Sequence, residues 1–88
     1  MKKVIEICKQ YIEKNPEKKR AFECIYSQYL LDIVTENDAL YMAETMYKSE
    51  TMQEYCDIIA AHEWDKNSIK PYYAMKNKGG FWSWINMN

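Results

Sequence analysis

The chain has two glycines, two prolines, one histidine and one arginine in 88 residues, and no close pair of cysteines. Each scarcity excludes something. Gly79 and Gly80 are the only glycines, and nothing after them continues into a phosphate loop or a dinucleotide fingerprint. His62 is the sole histidine, which rules out a metal site of several imidazoles and leaves any acid–base scheme one ring to work with. Glu6 and Lys9 interrupt the apolar run that a signal peptide needs, and no stretch approaches the roughly eighteen apolar residues of a membrane-spanning helix. Cys8, Cys24 and Cys56 are odd in number and widely spaced, the usage of a reducing compartment in which thiols act as small buried hydrophobes. The expectation is a cytoplasmic protein with no membrane association.

What the chain does have is enough apolar material for one domain. At 48% hydrophobic and 28% charged residues it is globular in composition, and at 88 residues it can bury a modest core without disulfides or metal. Lysine outnumbers arginine eleven to one, Arg20 being the exception, which is the codon signature of an AT-rich genome such as that of a low-GC bacterium or its phage.

Hydrophobic spacing predicts a mainly α fold, a small bundle of about four helices over residues 2 to 64 with an aromatic, basic C-terminal segment over 66 to 88. Val4, Ile5, Cys8, Tyr11 and Ile12 recur at helical spacing over residues 2 to 14. Asn15 and Pro16 read as an N-cap and a first-turn proline that restart the chain. A second helix from about Pro16 to Val34 places Phe22, Ile25, Tyr26, Tyr29, Leu30 and Ile33 on one face and Cys24 and Leu31 on the other, the pattern of a helix sandwiched between neighbours. Thr35 to Asp38 is a capping pattern before a third helix carrying Ala39, Leu40, Met42, Ala43, Met46 and Tyr47.

Continuing that register beyond Ser49 would turn Met52, Tyr55, Cys56 and Ile59 to the opposite face, so the phase must slip near Lys48 to Thr51. Thr51 and Glu54 supply a second capping box, and a fourth helix is expected from about 51 to Trp64; one long helix is the competing reading. Pro71 and the run Lys76-Asn77-Lys78-Gly79-Gly80 lie between aromatic stretches and suggest a β-hairpin, the alternative being a loop and a short helix.

Charge is sorted along the chain. Residues 1 to 20 hold seven bases against three acids, residues 21 to 65 one base against ten acids, and residues 66 to 88 four bases and no acid. Glu50, Glu54, Asp57 and Asp65 fall along one stripe of the expected fourth helix, opposite Met52, Cys56 and Ile59. The stripe is either a solvated face or a negative ridge that meets a basic partner, where complementary potential speeds encounter and sets specificity. Tyr41 projects opposite the apolar face of the third helix, and tyrosine is enriched at interfaces.

Enzyme chemistry finds little support. Cys56 with His62 and Glu63 could be imagined as a nucleophile and its base, but six helical positions turn Cys56 and His62 about 120° apart. Zinc on Cys8, Cys24, Cys56 and His62 would lack the close ligand pairs of structural sites. An acidic fourth helix is repelled by the phosphates that a helix-turn-helix reader must approach.

The residues therefore point to a non-enzymatic protein-binding module without catalytic residues, metal or cofactor. Glu50, Glu54, Asp57, Asp65 and Tyr41 would form the binding face, with a role as inhibitor or regulator that occupies the basic, nucleic-acid-binding surface of another protein. The alternative is single-stranded DNA or RNA binding by Lys70, Lys76, Lys78, Tyr72, Trp82 and Trp84, in which rings stack on bases and lysines neutralise phosphates. A structural homodimer is the third reading.

Overall fold

A computed structural model describes residues 2–68 of the chain, which form four α-helices and one short 3₁₀ turn. The expected hairpin around Lys76 to Gly80, and with it the aromatic basic segment, lies outside the described residues.

α1 (Lys2–Lys14) ends where Asn15 closes it: the Asn15 amide donates to the Tyr11 and Ile12 carbonyls, and its side-chain Nδ2 donates to the Tyr11 carbonyl at 3.3 Å. Asn15 thus finishes the first helix instead of capping the second with its side chain. Pro16 opens the 3₁₀ turn Pro16–Lys18, where its fixed φ suits the first helical position.

α2 (Lys19–Leu30) is shorter than its apolar pattern predicts, because it stops four residues before Val34. The cause is a Schellman closure on an aspartate. Asp32 takes φ 61°, its amide donates to the Tyr29 carbonyl at 3.1 Å, and the Ile33 amide donates to the Gln28 carbonyl at 2.9 Å. Asp is one of the few residues besides Gly that tolerates this left-handed conformation, through local hydrogen bonding of its short side chain. The stop leaves Leu30 and Leu31 exposed, so Leu30 does not belong to the buried face on which its spacing placed it. Ala21, Phe22, Cys24, Ile25 and Gln28 are the buried positions, an arc wide enough to pack against both α1 and α3.

α3 (Glu36–Lys48) begins at Thr35, whose Oγ1 accepts from the Asp38 amide at 3.3 Å, and ends at Ser49, which is extended at ψ 136°. The Thr45 carbonyl accepts both the Ser49 amide at 2.9 Å and Ser49 Oγ at 2.7 Å, so the one residue closes the helix end twice. α4 (Met52–Ala60) then starts at Thr51, whose Oγ1 accepts from the Glu54 amide at 3.1 Å. Two helices with a break at residues 49 to 51 replace the single long helix of the competing reading, and the register slip turns both apolar faces inward.

α4 stops at Ala60, four residues short of Trp64. Residues 62 to 65 are instead drawn back to the start of α3, where the Asp38 carboxylate receives both the His62 side chain and the Asp65 amide. That traction removes Asp65 from the helix row on which its spacing placed it.

The core joins all four helices. Val4 and Cys8 of α1, Phe22 and Ile25 of α2, Met42 and Met46 of α3, and Tyr55, Cys56 and Ile59 of α4 are almost wholly excluded from water. A tier of rings closes one side, with Tyr11 stacked on Tyr47 at 4.3 Å and tilted against Phe22 at 5.5 Å. No described helix is long and apolar enough to cross a membrane.

Lys18 ties the turn after α1 to the far end of α3. Its Nζ donates to the carbonyls of Met46 at 2.7 Å, Tyr47 at 3.3 Å and Ser49 at 2.7 Å, a cation placed on the negative end of the helix dipole. Lys18→Met keeps the aliphatic stem and removes the donors. It is expected to cost about 2 kcal/mol by urea unfolding, the range for hydrogen bonds to a charged group. Lys19→Met, at an exposed neighbouring position, should change stability by less than about 0.5 kcal/mol.

Candidate functional site

α3 and α4 pair as an antiparallel hairpin, and the outer side of the pair carries most of the residues singled out from the sequence. Tyr41, Glu44, Thr45 and Lys48 of α3, with Ser49, Glu54 and Ile58, line a shallow groove of about 220 Å³. Thr45 and Ser49 are buried at its floor, while Tyr41 and Ile58 are each 37% exposed. Glu44 and Lys48 form an ion pair at 3.0 Å with both side chains more than half exposed, and such pairs contribute little to stability.

Glu50, Glu54 and Asp57 are all exposed. Glu54 Oε1 accepts from the Glu50 amide at 2.9 Å, so the capping carboxylate reaches one residue further back than the Thr51 amide of a standard capping box. Asp57 Oδ1 accepts from Gln53 Nε2 at 3.0 Å. Asp65 stands apart from this row: half-buried in a turn, it accepts the Asn67 amide on Oδ1 at 2.8 Å and the Ser68 amide on its carbonyl. Lys70, Lys76, Lys78, Tyr72, Trp82 and Trp84 lie outside the described residues.

Tyr41 is held from behind. The His62 ring stacks on it at 4.1 Å with 12° between planes, and the edge of the His62 ring system meets Trp64 at 4.7 Å and 81°. His62 Nε2 lies 3.0 Å from Asp38 Oδ1; the carboxylate can only accept, so Nε2 carries the proton of this bond. Asp38 Oδ2 also takes the Asp65 amide at 2.9 Å and the Ser68 hydroxyl at 2.5 Å, and Ser68 Oγ in turn accepts the Thr35 amide at 3.0 Å. The carboxylate expected to complete a helix cap therefore anchors the whole segment 62 to 68. Burial alone would push the Asp38 carboxyl up, but the bonds from Ser68, His62 and the Asp65 amide outweigh it and hold the group below its ordinary 3.8.

This order of residues does not activate a nucleophile. A serine is deprotonated by histidine, whereas here Ser68 and His62 both bond to the aspartate. Cys56 is fully buried in the core, away from any substrate in water. Desolvation raises the Cys8 thiol to about 12 and the Cys24 thiol to about 11, the opposite of what a reactive cysteine requires. Among the described residues, no three or more His, Cys, Asp and Glu side chains are gathered as metal ligands.

Sequence reasoning missed Asp38, Ser68 and Lys18 as organising residues and Ile58 as part of the exposed face. Asp38 was legible only as a capping residue, since contacts 24 to 30 positions away leave no local trace. Ile58 could have been found, as it follows Glu54 by one helical turn. Comparison with protein-family models, with curated proteins and with solved structures finds no match. Function must accordingly be argued from the chemistry of the face itself.

Asp38 has a folded-state acidity stronger than the ordinary one, so its contribution to stability is present above about pH 4 and is lost as pH falls through the lower folded value. Asp38→Ala is expected to cost about 3 kcal/mol at pH 7, because it strands buried donors. It should also flatten the acid limb of the stability–pH curve measured by urea unfolding. The three thiols should resist a thiol-reactive dye at pH 8 in the folded chain and react fully in denaturant.

Proposed function

We propose that this chain is a non-enzymatic module that binds another protein through the outer face of α3 and α4, meeting a basic surface on its partner. The supporting observation is that Glu44 and Glu54 line one groove with exposed Tyr41 and Ile58, with Asp57 exposed next to Ile58 in the chain, while the thiols and the core tyrosine are buried. Glu50 is also exposed but lines a separate groove with Lys18 and Arg20. Carboxylates set around an aromatic and an aliphatic anchor match the anatomy of protein interfaces, where a few large side chains carry affinity and charge governs encounter and specificity.

A surface that binds Lys and Arg by presenting carboxylates stands where nucleic acid would present phosphates. The concrete form of the proposal is an inhibitor or regulator that occupies the nucleic-acid-binding surface of an enzyme or other protein. The aromatic, basic C-terminal segment does not enter this reading. The compartment proposed is the cytoplasm, whose reducing conditions keep buried cysteines such as Cys8, Cys24 and Cys56 as thiols.

The test replaces Glu50, Glu54 and Asp57 together by lysine. Circular dichroism should be unchanged and stability reduced by about 1 kcal/mol, mainly from the lost Glu54 cap. Capture of a partner from host lysate on the immobilised chain should disappear with the variant and weaken with salt for the native chain. Undiminished capture by the triple variant would remove the acidic face from the reading.

A further inference from the structure

We infer that the groove between α3 and α4 takes one arginine side chain of the partner, laid flat on the outward face of Tyr41 with its guanidinium between Glu44 and Glu54. This rests on the proposed reading that the face meets a basic protein and names the group it recognises. At about 220 Å³ the groove is smaller than the roughly 300 Å³ at which small-molecule pockets begin, so it suits one long side chain better than a whole ligand.

The Tyr41 ring is presented as a fixed platform. One of its faces is covered by His62, and His62 is itself held by Asp38 and by the Trp64 ring. Tyr41 also lines the groove and is 37% exposed, so a group entering the groove can reach the ring on the side that His62 leaves uncovered. Ile58 supplies an aliphatic surface for the methylene stem, and Glu44 and Glu54 supply charge of the complementary sign.

These features select arginine over lysine. A guanidinium is planar and weakly hydrated, stacks on aromatic faces and offers a fork of donors to carboxylates; an ammonium is a compact, strongly hydrated point charge. The groove already holds a lysine of the chain itself. Lys48 sits 3.0 Å from Glu44 with 70% of its side chain exposed, a solvated pair that an incoming arginine can displace. Lys48 is then a competitor for the groove and its removal should favour binding.

The probe is a short blocked peptide of arginines spaced by glycines, titrated beside its lysine counterpart of equal charge into the nitrogen-labelled full chain and followed by amide NMR. The arginine peptide should bind about threefold more tightly or better, the scale of an exposed cation–π contact. Shifts should centre on Tyr41, Glu44 and Ile58. Tyr41→Phe should keep the arginine preference and Tyr41→Leu, which still covers His62, should abolish it. Lys48→Gln should tighten arginine binding, and Glu44→Gln should weaken it about threefold. Equal affinities for the two peptides, absence of binding, or shifts that follow Glu50 and Asp57 while bypassing Tyr41 would each overturn the inference. Loss of lysate capture by the triple-lysine variant without any arginine preference would remove the groove and leave the acidic-face reading standing. Arginine preference of the native chain with capture indifferent to that variant, which also removes Glu54 from the groove, would leave an arginine-binding groove but overturn its part in partner capture together with the acidic-face reading.

Discussion

α3 is clamped at both ends by charges of the sign its dipole favours, and the arrangement of the other elements follows from those two clamps. At its first turn Asp38 gathers His62, the Asp65 amide and the Ser68 hydroxyl; at its last turn Lys18 reaches three carbonyls. An anion near a helix N-terminus and a cation at the C-terminus are each worth up to about 2 kcal/mol when partly buried. Each clamp also closes a long loop of chain. Lys18 fixes where α1 turns into α2, and Asp38 fixes where the chain goes once α4 has ended. In a domain of this size, whose total stability is on the order of 5 to 10 kcal/mol, two such closures decide whether the packing is unique.

The clamps also explain how the outer face of the hairpin comes to carry an exposed tyrosine and exposed carboxylates. Because Asp38 pulls residues 62 to 65 across the start of α3, the His62 ring comes to rest on Tyr41 and spares it from the core. Because Ser49 and Thr51 restart the helix with a shifted phase, Tyr55, Cys56 and Ile59 turn inward and the acidic positions of α4 turn outward. The same register slip therefore serves stability and display together, since a continuous helix would have put the two apolar faces on opposite sides.

The elements legible in the sequence were those with local causes. Thr35 and Thr51 mark two helix starts through their own side chains, the spacing of Met42, Ala43 and Met46 marks a buried face, and the phase slip near Ser49 follows from comparing two such faces. The ends of α2 and α4 were not legible, for two different reasons. Asp32 closes α2 by adopting a conformation usually left to glycine, so the sequence offered no stop signal. α4 yields to a distant competitor, the Asp38 carboxylate, whose pull on the chain has no signature near Ala60. In the candidate site, the exposure of Glu54 and Asp57 was readable because exposure on a helix follows from spacing, whereas Glu50, expected on the same stripe, lies in the break before α4. The support behind Tyr41 was not, because stacking by His62 depends on where the chain returns after the helix.

How the carboxylates are oriented bears on what the face can do. Glu54 is fixed by the Glu50 amide, and Asp57 receives the neutral Gln53 amide at a one-turn spacing. A neutral donor sets the direction of a carboxylate without cancelling its charge, whereas a lysine in the same place would do both. Like charges one turn apart repel by only a few tenths of a kcal/mol at an exposed helix surface, so the caps and the core can sustain the row. The chain places its bases elsewhere, seven of them in the first twenty residues, and leaves a single lysine, Lys48, among ten acids between residues 21 and 65. A face built for solubility alone gains nothing from setting a held carboxylate, Glu54, in one groove with an exposed tyrosine and isoleucine. A face that must be recognised by a basic surface gains from each of these features, because preorganised charge lowers the ordering cost of association and the apolar anchors supply the area that charge alone does not.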